Sequence, residues 1–214
     1  MKRHIALLTL LAGCLAAASA GAQTVYTYTS PNYTSASGDF TTAMQLSGSF
    51  TSATPLPANL SNVPVGPGTA YPVTWSFNDG VRNFTDANSA RVFGALSDMY
   101  VSTDATGTLT SAQFYLMSPG PTHTVGQTVH IMLAGSATTS AQDNMICNAV
   151  TGGQCTGLAN SPTMGYASPG SSVIGTWTQR DITPAAAVPA LGWPAMALLA
   201  GLMVVSLGVR RKLG

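Results

Sequence analysis

Glutamate is absent from this 214-residue sequence, and lysine occurs only at Lys2 and Lys212, close to the two ends of the chain. All charges between residues 23 and 182 therefore come from aspartate and arginine: Asp39, Asp79, Asp86, Asp98, Asp104, Asp143 and Asp181 against Arg82, Arg91 and Arg180. This mildly acidic balance argues against nucleic acid or an anionic membrane surface as a partner. Glycosidase chemistry with paired carboxylates would have to use aspartate alone.

Strong helix formers are scarce as well, because Glu is missing and Lys and Arg are few, whereas Thr, Val, Tyr and Gly are abundant. That composition favours strands and turns over helices. Strand patterns recur at short intervals along the chain, as is typical of sandwiches and barrels. We therefore expect an all-β fold over residues 23–182, in the form of a single antiparallel, jelly-roll-like β-sandwich domain.

The sharpest strand signal is the apolar-polar alternation of residues 73–77, which leads into Asn78-Asp79-Gly80. Asp-Gly between two alternating runs predicts a β-hairpin, because both central residues of the favoured turn need a positive φ. Leu109 to Met117 is the longest strand candidate, and Val173 to Thr178 is expected to be a closing strand. Asp86 to Ala95 is the one stretch expected to form a helical turn.

Of three cysteines, Cys14 lies in the segment expected to be removed, which leaves Cys147 and Cys155. They bracket a short segment with a Gly152-Gly153 turn, inside a weakly patterned stretch from Ala134 to Gly170. In an oxidising compartment this pair predicts a local disulfide. A redox or metal pair is the alternative, but the usual two-residue spacing and a neighbouring histidine are both missing.

Candidate catalytic groups are few. The sequence has no Gly-x-Ser-x-Gly elbow and no Gly-rich phosphate loop. His130 alternates with Val129 and Ile131, which predicts a solvated or edge position, and a metal site shared with His123 would need a third ligand that the sequence does not indicate. We therefore expect no catalytic residue, no metal and no cofactor.

The sequence allows two alternative roles for its aspartates and for its aromatic residues. Several aspartates occur in turn contexts where their side chains can bond to nearby backbone, and calcium binding by the same loops is the alternative. Trp75 and Trp177 lie in strand-like runs with apolar neighbours and are expected in the core. The aromatic candidates for stacking on sugar rings include Tyr26, Tyr28, Tyr100 and Tyr115.

The first 22 residues have the layout of a secretory signal peptide. A basic Lys2-Arg3 pair precedes an apolar run, and small residues follow at Ala20-Gly21-Ala22. We expect the mature chain to begin at Gln23. Leu11-Ala12-Gly13-Cys14 also fits a lipobox, so acylation of the cysteine is the alternative.

The stretch from Val188 to Val209 is apolar throughout, and as a helix its 22 residues would span about 33 Å, enough to cross a bilayer. Arg210, Arg211 and Lys212 follow directly and are expected to act as a membrane stop on the cytoplasmic side. With residues 183–187 as a linker, this transmembrane helix would leave the sandwich outside the inner membrane.

Residues 188–214 resemble the C-terminal sorting signals of exosortase substrates in Gram-negative bacteria, which combine a short proline motif, a membrane helix and an Arg-rich end. Val188-Pro189-Ala190-Leu191 with the nearby Trp193 is most similar to the variant built on Ile-Pro-Thr-Leu with a downstream Trp, a relative of the Pro-Glu-Pro type. Val replaces Ile, Ala replaces Thr, and the Trp is one residue closer. The resemblance implies recognition and cleavage within the motif by an exosortase-like enzyme.

The leading hypothesis is an exported, non-enzymatic surface or extracellular-matrix protein associated with exopolysaccharide or biofilm. Its precursor would be anchored transiently in the inner membrane before the protein reaches the cell surface or medium. The expected partners are the exosortase-like enzyme, the inner membrane and exopolysaccharide, without nucleic acid. The alternative is a carbohydrate-binding β-sandwich module delivered by the same route.

Overall fold

The structure, a computed structural model, describes residues 23–135, 138–170 and 175–182. The predicted signal peptide with Cys14, the linker and the whole sorting signal lie outside the described residues. The same holds for the individual sorting residues: Val188, Pro189, Ala190, Leu191, Trp193, Arg210, Arg211 and Lys212. No helix within the described ranges has the length and apolarity needed to cross a membrane.

The described residues form β-strands joined by loops, with single-turn 3₁₀ helices at Val92–Gly94 and Leu96–Asp98. In chain order the strands are β1 (Gln23–Thr29), β2 (Ser35–Ala36), β3 (Ser47–Ser52), β4 (Val63–Pro64), β5 (Val73–Asn78), β6 (Asn83–Thr85), β7 (Ala90–Arg91), β8 (Met99–Thr103), β9 (Leu109–Ser118), β10 (Thr128–Gly135), β11 (Thr139–Thr151), β12 (Gln154–Ser168) and β13 (Thr176–Ile182).

The strands build two antiparallel sheets. Sheet A has the order β13-β1-β3-β5-β6, and sheet B has the order β2-β12-β11-β10-β9-β8-β4, with β7 also paired to β9. Strands β8 to β12 follow one another as a continuous meander. The prediction of an all-β, antiparallel fold is confirmed.

An aromatic core lies between the two sheets. Tyr26 of β1 stacks on Phe50 of β3 with ring centroids 4.5 Å apart, and Phe50 stacks on Phe114 of sheet B at 4.8 Å. Trp75 is buried, and Trp177 packs against the same core while partly exposed. Both tryptophans are therefore core residues, as their strand-like contexts predict.

A second apolar cluster covers the other face of sheet B. Leu116 belongs to the central core, whereas its neighbour Met117 belongs to this second cluster, since successive side chains of a strand point to opposite faces. The buried members of the cluster are Val92, Met117, Val129, Ile131, Met145, Cys147 and Cys155.

The hairpin predicted at Asp79-Gly80 is present between β5 and β6, but β6 begins only at Asn83. Asp79 Oδ1 accepts hydrogen bonds from the backbone N–H groups of Val81 and Arg82 at 2.9 and 2.7 Å. These bonds hold residues 79–82 as a four-residue loop, with Gly80 at φ 99°. The carboxylate thus keeps two residues out of the strand.

Strands β11 and β12 were not expected, because the stretch that contains them is weakly patterned. The two strands pair along most of their length, with register shifts between Asp143 and Met145 and around Ala149. Each bulge inserts a residue and reverses the alternation of faces. The expected helical turn is also wrong in part, since the short β7 precedes the first 3₁₀ turn there.

Candidate functional site

The disulfide prediction is confirmed. Cys147 of β11 and Cys155 of β12 are bonded across the hairpin, with their Cα atoms 5.8 Å apart. The hairpin turns at Gly152 and Gly153, both with positive φ. Both cysteines are buried in the second cluster, which identifies the bond as a structural clamp on these strands.

His123 lies beside this clamp and is buried. Its backbone N–H donates to the carbonyl oxygen of Gly153 at 2.8 Å, and its Nδ1 accepts a long hydrogen bond from the backbone N–H of Cys155 at 3.4 Å. Its Nε2 has no hydrogen-bond partner among the described residues. These contacts attach the loop before β10 to the β11–β12 hairpin.

The solvated or edge position predicted for His130 is wrong. The imidazole does lie on the face of sheet B opposite to Val129 and Ile131, but there its Nδ1 contacts the buried Asp143 of the neighbouring strand β11. Asp143 is only 1 % exposed and also accepts a hydrogen bond from Arg82 Nε at 2.7 Å. Arg82 of the β5–β6 loop and His130 of β10 therefore share the same buried carboxylate.

Burial and charge oppose each other in this cluster. Burial lowers the pKa of His130, and this effect outweighs the attraction of the Asp143 carboxylate. Burial alone would raise the pKa of Asp143, but the hydrogen bond from Arg82 and the neighbouring positive charge hold it below its usual value. Burial raises the pKa of Asp79, and the hydrogen bonds that its carboxylate accepts from backbone N–H groups only partly offset this rise. The cluster joins the sheets electrostatically.

Within residues 23–135, 138–170 and 175–182, no group of three or more His, Cys or acidic side chains is arranged to hold a metal ion. The aspartates of the turns bind backbone instead. Asp104 Oδ1, for example, accepts from the backbone N–H groups of Thr106 and Thr108 at 2.8 and 2.9 Å.

A solvent-open cleft of about 290 Å³ lies where loops of both sheets meet. Segments that are distant in the sequence line the cleft. Among them are β5, which we call its floor, and the start of β12. Residues that line the cleft include Pro67, Trp75, Asp86, Arg91, Pro121 and Gln154.

The floor of the cleft is internally satisfied. Trp75 Nε1–H donates to Ser89 Oγ at 3.0 Å, and that hydroxyl donates to the carbonyl oxygen of Thr85 at 2.6 Å. Gln154 Nε2 donates to the carbonyl oxygen of Pro121 at 2.6 Å, which leaves Oε1 without a partner in the described part of the chain. The exposed Asp86 carboxylate likewise has no partner among the described residues. Asp86 thus offers open acceptors, whereas Gln154 offers an open acceptor at Oε1 and an open donor in the second N–H of Nε2.

Arg91 lines the cleft and also holds a neighbouring loop in place. Its Nη2 donates to the carbonyl oxygens of Val65 and Pro67 at 2.7 and 3.1 Å, which ties their loop to β7. Burial lowers the pKa of Arg91, and burial raises the pKa of nearby Asp98 to about 6. Arg91 Nε and Asp98 Oδ2 are both buried without a hydrogen-bond partner among the described residues.

Phe93 lies in the chain next to Gly94, which lines the cleft. Its side chain is 43 % exposed, and its backbone is in the left-handed region at φ 56°. Bulky non-glycine residues rarely adopt this conformation, and such strain concentrates at functional sites.

The sequence patterns identified neither Arg91 nor Gln154 as a cleft residue. Conversely, the tyrosines that they offered for sugar stacking are poorly placed. Tyr26 and Tyr28 are fully buried in the core, and Tyr100 and Tyr115 are half-buried on sheet B. A signal in the sequence was the Phe93-Gly94 pair, which interrupts strand alternation with an apolar residue beside a flexible one.

Fold and site together define an all-β protein of two antiparallel sheets, with a disulfide-closed hairpin and a small cleft between loops. The chain matches no protein-family model, no curated protein and no solved structure.

Proposed function

We propose that this chain is an exported, non-enzymatic surface or extracellular-matrix protein that an exosortase-like enzyme processes at its C-terminal sorting signal. The observation that supports this most is the pairing of β1 with β13, in which Gln23 lies opposite Ile182. Loss of the residues before Gln23 and after Ile182 would leave both sheets and their core intact. That is what a cargo domain between two removable transport segments requires.

Two further features fit this proposal. The disulfide suits an oxidising compartment outside the cytoplasm. The outer face of sheet A carries rows of hydroxyl side chains, such as Thr27 opposite Ser49 and Ser49 opposite Ser76. These hydroxyls keep the surface hydrated without lysine or glutamate.

The proposal includes several finer predictions from the sequence. They are the jelly-roll-like path of the chain, the signal peptide over residues 1–22, and the transmembrane helix that holds the precursor in the inner membrane. Association with exopolysaccharide or biofilm at the cell surface belongs to the same proposal.

Processing is tested with the full chain in an exosortase-bearing bacterium. Wild-type protein is expected at the surface or in the medium without its tail, and Pro189→Ala is expected to accumulate in the inner membrane at higher mass. Pro184→Ala, in the predicted linker, is the matched control and should be processed normally. Identical processing of Pro189→Ala, or wild-type protein that keeps its tail in the membrane, contradicts the proposal.

A second candidate function is carbohydrate binding by the sandwich after delivery along the same route. The cleft favours it, because aromatic Trp75 lies next to unpaired acceptors on Asp86 and Gln154. Binding of the mature protein to a glycan array, weakened by Phe93→Ala beside the cleft, would support this function. No binding to any glycan would exclude it.

A further inference from the structure

The cleft has the size of a site for a small ligand. Its volume of about 290 Å³ is just below the range of small-molecule pockets, roughly 300–1,000 Å³. One or two sugar rings are a suitable occupant, whereas a longer chain would have to extend from the cleft into solvent.

Some of the hydrogen-bond donors around the cleft are committed to the protein itself. Trp75 Nε1–H donates to Ser89 Oγ, Gln154 Nε2 donates to the Pro121 carbonyl oxygen, and Arg91 Nη2 donates to backbone carbonyl oxygens. The second N–H of Gln154 Nε2 stays open as a donor, while the Asp86 carboxylate and Gln154 Oε1 are open acceptors. A ligand that brings O–H donors complements them, whereas a carboxylate or phosphate brings acceptors alone.

Charge within the cleft favours a neutral ligand. Asp86 contributes one negative charge and Arg91 one positive charge, so the lining carries no excess of either sign. A cationic amine would gain from the carboxylate but would be opposed by the guanidinium. Neutral hydroxyl groups gain from the acceptors without that opposition.

Apolar surfaces complete the site. The exposed rings of Pro67 and Pro121 line it with apolar surface suited to the C–H face of a sugar, whereas Trp75, only 5 % exposed, adds little accessible surface. A Cβ atom at position 94, where φ is +70°, would lie 3.3 Å from Gln154 Cγ. Glycine at this position thus leaves room for the glutamine that carries the open acceptor.

We propose that this cleft binds a neutral saccharide of one or two rings, with Asp86 and Gln154 accepting hydrogen bonds from its hydroxyl groups. The inference rests on the second candidate function, carbohydrate binding, and adds to it the position of the site and the class of sugar. Phe93, exposed and in the left-handed region, precedes the lining residue Gly94 in the chain.

The test is an NMR titration of the mature, isotopically labelled protein with glucose, galactose and N-acetylglucosamine. The Trp75 indole N–H signal reports on the cleft, and the Trp177 indole signal reports on the intact core. Glucosamine serves as the cationic probe, and glucuronate serves as the anionic one. At least one neutral sugar is expected to shift the Trp75 signal and to bind more tightly than either charged probe.

Variants then locate the site. Asp86→Ala and Gln154→Ala are each expected to weaken neutral-sugar binding about tenfold, since each loses one hydrogen bond, one of them to a charged group. Asp86→Asn keeps an acceptor oxygen and should bind nearly as well as wild type. Asp39→Ala, an exposed aspartate that does not line the cleft, is the matched control and should have no effect.

Each other outcome overturns the inference in a distinct way. Preferred binding of glucosamine, lost in Asp86→Asn, would identify a cation site. Sugar binding that is indifferent to Asp86 and Gln154 would move the site elsewhere while carbohydrate binding itself stands. A complete lack of sugar binding would overturn both the inference and the second candidate function, and would leave the proposal of export unaffected.

Discussion

Arg82 and Asp143 form an ion pair that connects the two sheets, with Arg82 Nε 2.7 Å from Asp143 Oδ1. The guanidinium is on the β5–β6 loop of sheet A, and the carboxylate is on β11 of sheet B. The carboxylate is 1 % exposed and the guanidinium 38 % exposed. The buried carboxylate of Asp143 is therefore paired with a guanidinium, that of Arg82, which is partly exposed to solvent.

Removal of this cation should destabilise the fold. Arg82→Met leaves the Asp143 carboxylate buried without its main partner, and we expect the free energy of unfolding to fall by about 1–3 kcal/mol. The value is below that for a fully buried pair because water screens the exposed guanidinium. Urea denaturation measures the change.

Arg180→Met is the matched control, since Arg180 is exposed on β13. It should change stability by less than about 0.5 kcal/mol. Equal effects of the two substitutions would show that the Arg82–Asp143 pair contributes nothing specific.

The histidine of the same cluster should make stability depend on pH. Burial lowers the pKa of His130, so below about 6.5 the unfolded chain binds a proton that the folded chain resists. The stability that His130 contributes is complete above that pH and declines as the pH falls through it. His130→Gln should remove this component.

The measurement is the difference in unfolding free energy between wild type and His130→Gln, taken by urea denaturation from pH 5 to pH 8. The difference cancels the titration of other groups. We expect wild type to lose stability relative to the variant as the pH falls through this range. A constant difference would contradict the lowered pKa.

Asp98 should make the stability depend on pH in the opposite direction. Burial raises its pKa to about 6 against the attraction of Arg91, so the folded state favours the protonated carboxyl. Its contribution is present at low pH and is lost as the pH rises from about 4 through about 6. Asp98→Asn keeps the shape without the charge and should be more stable than wild type above pH 6, by about 1–2 kcal/mol after allowance for partial exposure.

Below about pH 4 the Asp98→Asn variant and wild type should have equal stability, because the carboxyl is then neutral in both states. Chemical denaturation at pH 4 and pH 8 makes the comparison. A variant that is less stable than wild type at pH 8 would show that Asp98 and Arg91 stabilise the fold as an ion pair.

The disulfide should contribute measurably to stability. Cys147 and Cys155 close a short loop, and chain-entropy arithmetic predicts a loss of about 2–3 kcal/mol in the double variant Cys147→Ala/Cys155→Ala. Urea denaturation with and without reductant makes the test. Reductant should weaken wild type by a similar amount and leave the variant unchanged; a wild type indifferent to reductant would contradict the clamp.

Local signals in the sequence predicted the local features of the fold. Asp79-Gly80 identified the β5–β6 hairpin, although only Gly80, at φ 99°, has the positive φ expected of both residues. Leu109 to Met117 identified β9 through its alternation, and the short spacing of Cys147 and Cys155 identified their bond. Each of these features is determined by neighbouring residues.

The features that the sequence concealed depend on interrupted patterns or on distant contacts. Strand β11 has a bulge beside Asn144, where φ is 55°, so Ala141 faces the central core while Met145 faces the second cluster. Alternation alone cannot identify such a strand. The face of the strand that His130 occupies was predictable, but its contact with the buried Asp143 was not.

The cleft was hidden for the same reason. Trp75, Arg91 and Gln154 belong to separate strands that only the sheet topology brings together. No spacing within the sequence relates them. Loop packing, not a motif, creates the candidate site.

The proposed export requires removal of both transport segments from the β-sandwich domain. Intact-mass analysis of the protein recovered from its native cell surface and medium tests this directly. The predicted result is a chain that begins at Gln23, lacks residues 210–212 and carries the Cys147–Cys155 disulfide. A mature protein found in the cytosol, or one that still carries Arg210, Arg211 and Lys212 at its destination, would contradict it.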